Sequence, residues 1–251
     1  MDIVEVLNRE LSGQDFSTEQ PCSGLLARYK EVALNYALME NAVAVLSDLQ
    51  VNVSHIYYGG FARTLGIGRD RRDECVTSIW EEEIFSHIHP DDLARKHLQE
   101  LCFFHFVKRQ PRKRRADYYL MSRLHMRTRT NVYLPVLHRM FYVSVSPQET
   151  LRLALCLYSP LSVEIPGGSL IVNSLNGHTA ELETRNQTRI LSSREKEILK
   201  LIDRGFISKE IAEMLCISVN TVSRHRQEIL NRLQVKNSIE ACRIAKDLNL
   251  I

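Results

Sequence analysis

No stretch of this 251-residue chain approaches about 18 consecutive apolar residues, so the sequence offers no transmembrane helix. Its six cysteines, Cys22, Cys75, Cys102, Cys156, Cys216 and Cys242, include no CxxC pair. Zinc ribbons, zinc fingers and thioredoxin-like motifs rest on such local pairs, so no metal site is assigned, and reduced, buried thiols are expected. Residues 1–190 hold no phosphate-binding loop, nucleophile–base motif or metal-ligand spacing. An enzyme is therefore not expected, and neither catalytic residues nor a cofactor are assigned. There is one tryptophan, Trp80, and no internal repeat or low-complexity tract. The start, MDIVEVLNRELSG, lacks the basic-then-apolar layout of a signal peptide, which makes a cytoplasmic protein the expectation.

What is present is an ordinary globular composition, 44% hydrophobic and 25% charged, at a length that suits two domains. The net charge of +3 is unevenly placed. Residues 191–251 hold 11 basic and 8 acidic side chains, whereas residues 1–190 hold 22 of each. The whole surplus lies in the last 61 residues and points to a polyanionic partner for that part.

The pattern along the chain predicts an α+β protein. Residues 1–40 read as helices. In the second of these, Leu25, Tyr29, Val32, Tyr36 and Met39 form a heptad-like seam, suited either to lying on its own domain or to pairing with a second copy. Residues 41–182 read as a sheet domain. AVAVL and VNVSHIYY suggest two strands, Gly59–Gly68 short helical turns, and HPDDLARKHLQELCFFHF a helix opened by Pro90 and Asp91. DYYLMSRLHMRTRT, VYLPVLHRMFYVSVS and LRLALCLYS then suggest three antiparallel strands, with SPQET as a turn, and Asn176-Gly177 marks a hairpin. Leu151, Leu153, Leu155 and Leu157 alternate with Arg152, Ala154, Cys156 and Tyr158, which puts the two sets on opposite faces. The polar stretch 183–190 is assigned as a linker, and 191–251 as a separate all-α, four-helix unit.

That last unit carries the strongest signals. Ser192-x-x-Glu195 fits a capping box. SKEIAEML is a second, short helix, CISVN a tight turn with Ser218 as N-cap, and residues 220–233 a third helix. Short helix, tight turn and longer helix are the layout of a helix-turn-helix, whose later helix enters the DNA major groove. At about 100° per residue, Val222, Ile229 and Leu233 fall on one face, and Ser223, Arg224, Gln227 and Asn231 on the opposite one. Arg224 and Gln227 suit guanine and adenine edges, which they meet bidentately. Arg226 falls at the core margin, where its guanidinium could reach a phosphate. Ser218, Thr221 and the free N–H groups of the helix start also suit phosphate, and Lys209 and Lys236 flank the helix.

The string LSSREKEILKLIDRG…SKEIAEMLCISVNTVSRHRQEILNRLQV resembles the LuxR-type helix-turn-helix domain of bacterial transcription regulators. Leu191, Arg194, Glu195, Leu199, Gly205, Ile211, Ala212, Leu215, Ser218, Thr221, Val222, His225, Ile229, Leu233 and Val235 match in order. Ser223 stands where a lysine is common and Arg226 where an aliphatic residue is common. The resemblance implies a homodimer that binds double-stranded DNA and reads it with the third helix. A phosphoacceptor receiver is not the accompanying domain, because residues 41–60 offer only Asp48. An acyl-homoserine-lactone sensor would show several tryptophans. Instead, IFSHIHPDD at Ile84–Asp92 and the strand–helix order over roughly residues 41–160 are similar to a PAS domain. That resemblance implies sensing of a small molecule or docking of a protein partner, with the ligand-binding residues unassigned. The flavin-type cysteine motif is missing, and His97 and His105 do not suffice to assign a haem. His87-x-His89 with Asp91 and Asp92 reads as a turn and helix cap, and RQPRKRR at Arg109–Arg115 as a solvated loop.

Overall fold

The structure is a computed structural model that describes residues 3–16, 23–69, 71–145, 150–162, 164–165, 168–182, 191–233, 235–247 and 250–251. The proposed linker at 183–190 and most of the SPQET turn lie outside the described residues.

Helices α1 (Ile3–Ser12) and α2 (Ser23–Met39) precede strands β1 (Val43–Asp48) and β2 (Val53–Tyr58). The short helix α3 (Gly60–Leu65), strand β3 (Asp73–Val76) and helix α4 (Glu82–Phe85) lead to the long helix α5 (Pro90–Arg109). A 3₁₀ turn (Arg112–Asp117) then opens β4 (Tyr118–Arg127), β5 (Tyr133–Val145), β6 (Leu151–Pro160), β7 (Ser169–Asn173) and β8 (Thr179–Glu181). The eight strands among the described residues form one antiparallel sheet in the order β3-β2-β1-β6-β5-β4-β7-β8.

The sheet is covered on both faces, following the alternation in β6 from Leu153 onward; Leu151, expected on the face of Leu153, instead joins the opposite core, next to a register shift between β5 and β6. Leu153, Leu155 and Leu157 pack against Ala33 and Ala37 of α2, whose small side chains let the helix lie close. Ala154 joins the opposite core, with Phe103 and Phe104 of α5 and with Val6, Leu7 and Leu11 of α1. Tyr29, Val32 and Tyr36 of the expected seam pack on the sheet, whereas Met39 of that seam, with Leu34 and Leu38, stays exposed. Gly59 is needed where α2 ends: a Cβ there would sit 2.1 Å from the Ala37 carbonyl oxygen.

Helix α5 starts as its sequence suggests. Pro90 holds the first position, where no N–H is missed, and His89 accepts a hydrogen bond from the Asp91 N–H. Asp92 is buried and ties the helix to β4. It accepts from the His125 backbone N–H at 2.6 Å and pairs with Arg95. The basic run after α5 is not wholly solvated. Arg115 is buried and donates to the carbonyls of Lys108 and Gln110. The hairpin β7–β8 forms with Gly177 at φ +71°, a conformation that favours glycine.

Helices α6 (Ser193–Asp203), α7 (Ser208–Met214), α8 (Val219–Arg232) and α9 (Ser238–Asp247) enclose their own core of Leu191, Ile198, Leu199, Ile211, Val222 and Ile229, among others. Among the described residues, polar contacts join this unit to the sheet domain. Arg243 of α9 pairs with Glu10 of α1 at 2.8 Å, and the Cys102 thiol of α5 donates to the carbonyl of Arg232 at 3.6 Å. Burial pushes that thiol up to about 12, so it stays a protonated donor.

Candidate nucleic-acid interface

Caps set the positions of α6, α7 and α8. Ser192 and Glu195 form the expected capping box: the Ser192 N–H donates to Glu195 Oε2 at 2.7 Å, and the Glu195 N–H to Ser192 Oγ at 3.2 Å. Glu195 is almost fully buried, and its other oxygen lies 3.2 Å from Arg232 Nε. The start of α6 is thereby pinned to the end of α8. In α7, the Glu210 side chain accepts from the Ile207 N–H. The chain then turns with Cys216 at φ +52°, and α8 begins.

Ser218 caps α8 by accepting from the Thr221 N–H at 3.0 Å, and the two hydroxyls lie 2.9 Å apart. Val222 and Ile229 are buried, with Leu233 just beyond the helix. On the opposite side Ser223, Arg224 and Gln227 are exposed, as are Lys209 on α7 and Lys236 after α8. The Arg224 side chain is 69% exposed, and its contact with Glu228 spans 3.6 Å, a solvated pair that costs little to break. Gln227 donates to Asn231 at 3.1 Å on the same exposed stripe.

Arg226 departs from the expectation of an outward, phosphate-seeking group. Its Nη1 donates to Ser208 Oγ at 2.8 Å and its Nη2 to Ser238 Oγ at 3.0 Å. Those serines open α7 and α9, so the guanidinium clamps three helices together. At the core edge it thus makes hydrogen bonds within the unit. Asn220, absent from the sequence-based assignment, shares the outer stripe. It is exposed on the first turn of α8. The same angular projection places it at about 160°, between Gln227 and Asn231, so the signal was there in the spacing.

A buried, apolar-sided helix with a polar outer stripe, set across a short helix by a tight turn, defines a helix-turn-helix unit. The unit is a LuxR-type domain: residues 189–245 match the family described as bacterial regulatory proteins, luxR family. Over 74 residues the chain is 39% identical to the oxygen regulatory protein NreC of Staphylococcus haemolyticus, covering 30% of this chain and 34% of that protein. The counterpart from Staphylococcus carnosus is 40% identical over 83 residues, covering 32% and 38%. The chain thus matches little more than a third of these curated relatives. Among solved structures, the phage VqmA–DPO complex is 14% identical with a TM-score of 0.33, covering 88% of each chain. The Vibrio cholerae VqmA dimer is 13% identical with a TM-score of 0.32, covering 87% of this chain and 86% of that one. Both likenesses are remote. No described helix is long and apolar enough to cross a membrane.

Proposed function

We propose that the protein is a bacterial, cytoplasmic transcription regulator that binds double-stranded DNA as a homodimer, and that its PAS-like sheet domain receives the controlling signal. The exposed stripe of Asn220, Ser223, Arg224 and Gln227, opposite the buried Val222 and Ile229, carries this reading. Arg224 and Gln227 read base edges, while Lys209, Ser218, Thr221 and Lys236 hold phosphates and set the register. A small molecule bound in the sheet domain acts by preferring one arrangement of the dimer, since only a differential affinity shifts such an equilibrium.

Selection of bound sequences from random DNA tests the proposal. A two-fold related pair of half-sites is the expected result. No enrichment over input would end the reading. A second reading, control by a docked protein, is favoured by the exposed Leu34, Leu38 and Met39 at the end of α2. Polar substitutions there would then abolish the response and leave intrinsic DNA affinity intact.

A further inference from the structure

The inner face of the sheet carries an unusual set of polar groups where a core should be apolar. From α5, Lys96 and Glu100 are buried against the sheet, with Lys96 Nζ 2.7 Å from Glu100 Oε1. From β5 come His138, with no exposed surface, and Tyr142; from β6 come Cys156 and Tyr158. Register explains the gathering. His138 lies opposite Tyr158, Met140 opposite Cys156, and Tyr142 opposite Ala154, so period-2 alternation turns all of them to the same face.

The ligating atoms of Glu100, His138 and Cys156 all lie within 4.8 Å of one another. His138 Nδ1 is 3.0 Å from Ser122 Oγ, which fixes the ring. Its Nε2 is buried, has no hydrogen-bond partner, and lies 3.8 Å from Glu100 Oε1. An imidazole oriented through one nitrogen with the other left bare is the arrangement of a metal ligand. The Tyr142 and Tyr158 hydroxyls are likewise buried and unpartnered.

We propose that Glu100, His138 and Cys156 form a three-ligand site for Zn²⁺, with a fourth position left for water or an exchangeable ligand. The mixed nitrogen, sulfur and oxygen set suits zinc and disfavours calcium or magnesium, which take oxygen ligands. On binding, the Cys156 thiol forms the sulfur–zinc bond and releases its proton to solvent. Lys96 is a built-in competitor, because its ammonium already neutralises Glu100. When the metal takes that carboxylate, Lys96 must release it.

The test uses full-length protein stripped with a chelator and titrated with Co²⁺, then with Zn²⁺ in competition. The expected result is one equivalent of cobalt with thiolate-to-metal charge-transfer absorption, bleached by zinc. Cys156→Ser removes that absorption, and His138→Gln weakens zinc binding by about tenfold or more. Cys75→Ser and Cys216→Ser, at exposed positions, leave it unchanged. Lys96→Met tightens binding, a readout that stands even if Cys156→Ser fails to fold. Absence of the absorption in folded wild type, its survival in Cys156→Ser, or unchanged affinity in Lys96→Met would each overturn the site. The assay contains no DNA, so its failure is distinct from failure of the DNA-binding reading.

Discussion

Arg226→Ala separates two roles for one arginine. The guanidinium spans two serine hydroxyls, 2.8 Å to Ser208 and 3.0 Å to Ser238, from a half-buried position on α8. Hydrogen bonds from a charged donor contribute about 1.5–3 kcal/mol each when well shielded. Partial exposure lets water replace part of that, so the loss expected for the pair is about 1–3 kcal/mol. In a unit of this size each kcal/mol corresponds to about 4–8 °C in melting temperature. Arg226→Lys should recover only part, because an ammonium cannot fork across both hydroxyls. The discriminating assay is affinity for a selected operator as a function of salt. A clamp leaves the slope of log K against log salt unchanged while stability falls. A decrease in slope of about 0.9 would mean a lost phosphate contact, and the clamp reasoning would be refuted.

Arg224→Ala, at a solvated position on the outer stripe, should relax specificity at one base pair and cost about 1–3 kcal/mol there. Uniform weakening across sequences, seen by repeating the selection, would contradict base reading. Glu195→Ala removes a cap and leaves Arg232 without its buried partner; a loss of about 2–4 kcal/mol is expected. A melt of the double variant with Arg232→Met checks this, since the pair should be strongly non-additive. Burial raises the Glu81 carboxyl from 4.5 to about 7, despite hydrogen bonds from Ser54 and Ser47. The folded chain therefore holds this proton more tightly than the unfolded one. That contribution to stability is complete below 4.5 and is lost as pH rises toward about 7. Glu81→Gln should flatten melting temperature against pH across that window; parallel curves for the two proteins would sink the assignment.

The four terminal helices were legible because each signal is local: a capping box within four residues, a serine cap, and an apolar stripe at helical spacing. The strands β4 to β6 and the β7–β8 hairpin were legible for the same reason. Strand β3 was not, since DECV at a sheet edge is charged and short. The angular projection placed Arg226 at the core margin but could not see Ser208 and Ser238, which belong to other helices. Lys96 and Glu100 lie four apart on α5, a spacing equally suited to a solvated surface pair. Only folding brings them to His138 and Cys156, which lie 38 and 56 residues from Glu100. Spacing rules that look for neighbouring thiols and histidines are blind to ligands carried on adjacent strands.

Helix α5 serves two masters. Glu100 presses on the strands, and two residues later Cys102 holds the last carbonyl of α8. Two residues advance a helix by only about 3 Å but turn it by about 200°, so these contacts occupy opposite flanks of one rod. A rod cannot roll beneath one hand and stay still beneath the other. One helix therefore contacts both the buried polar face of the sheet and the end of α8.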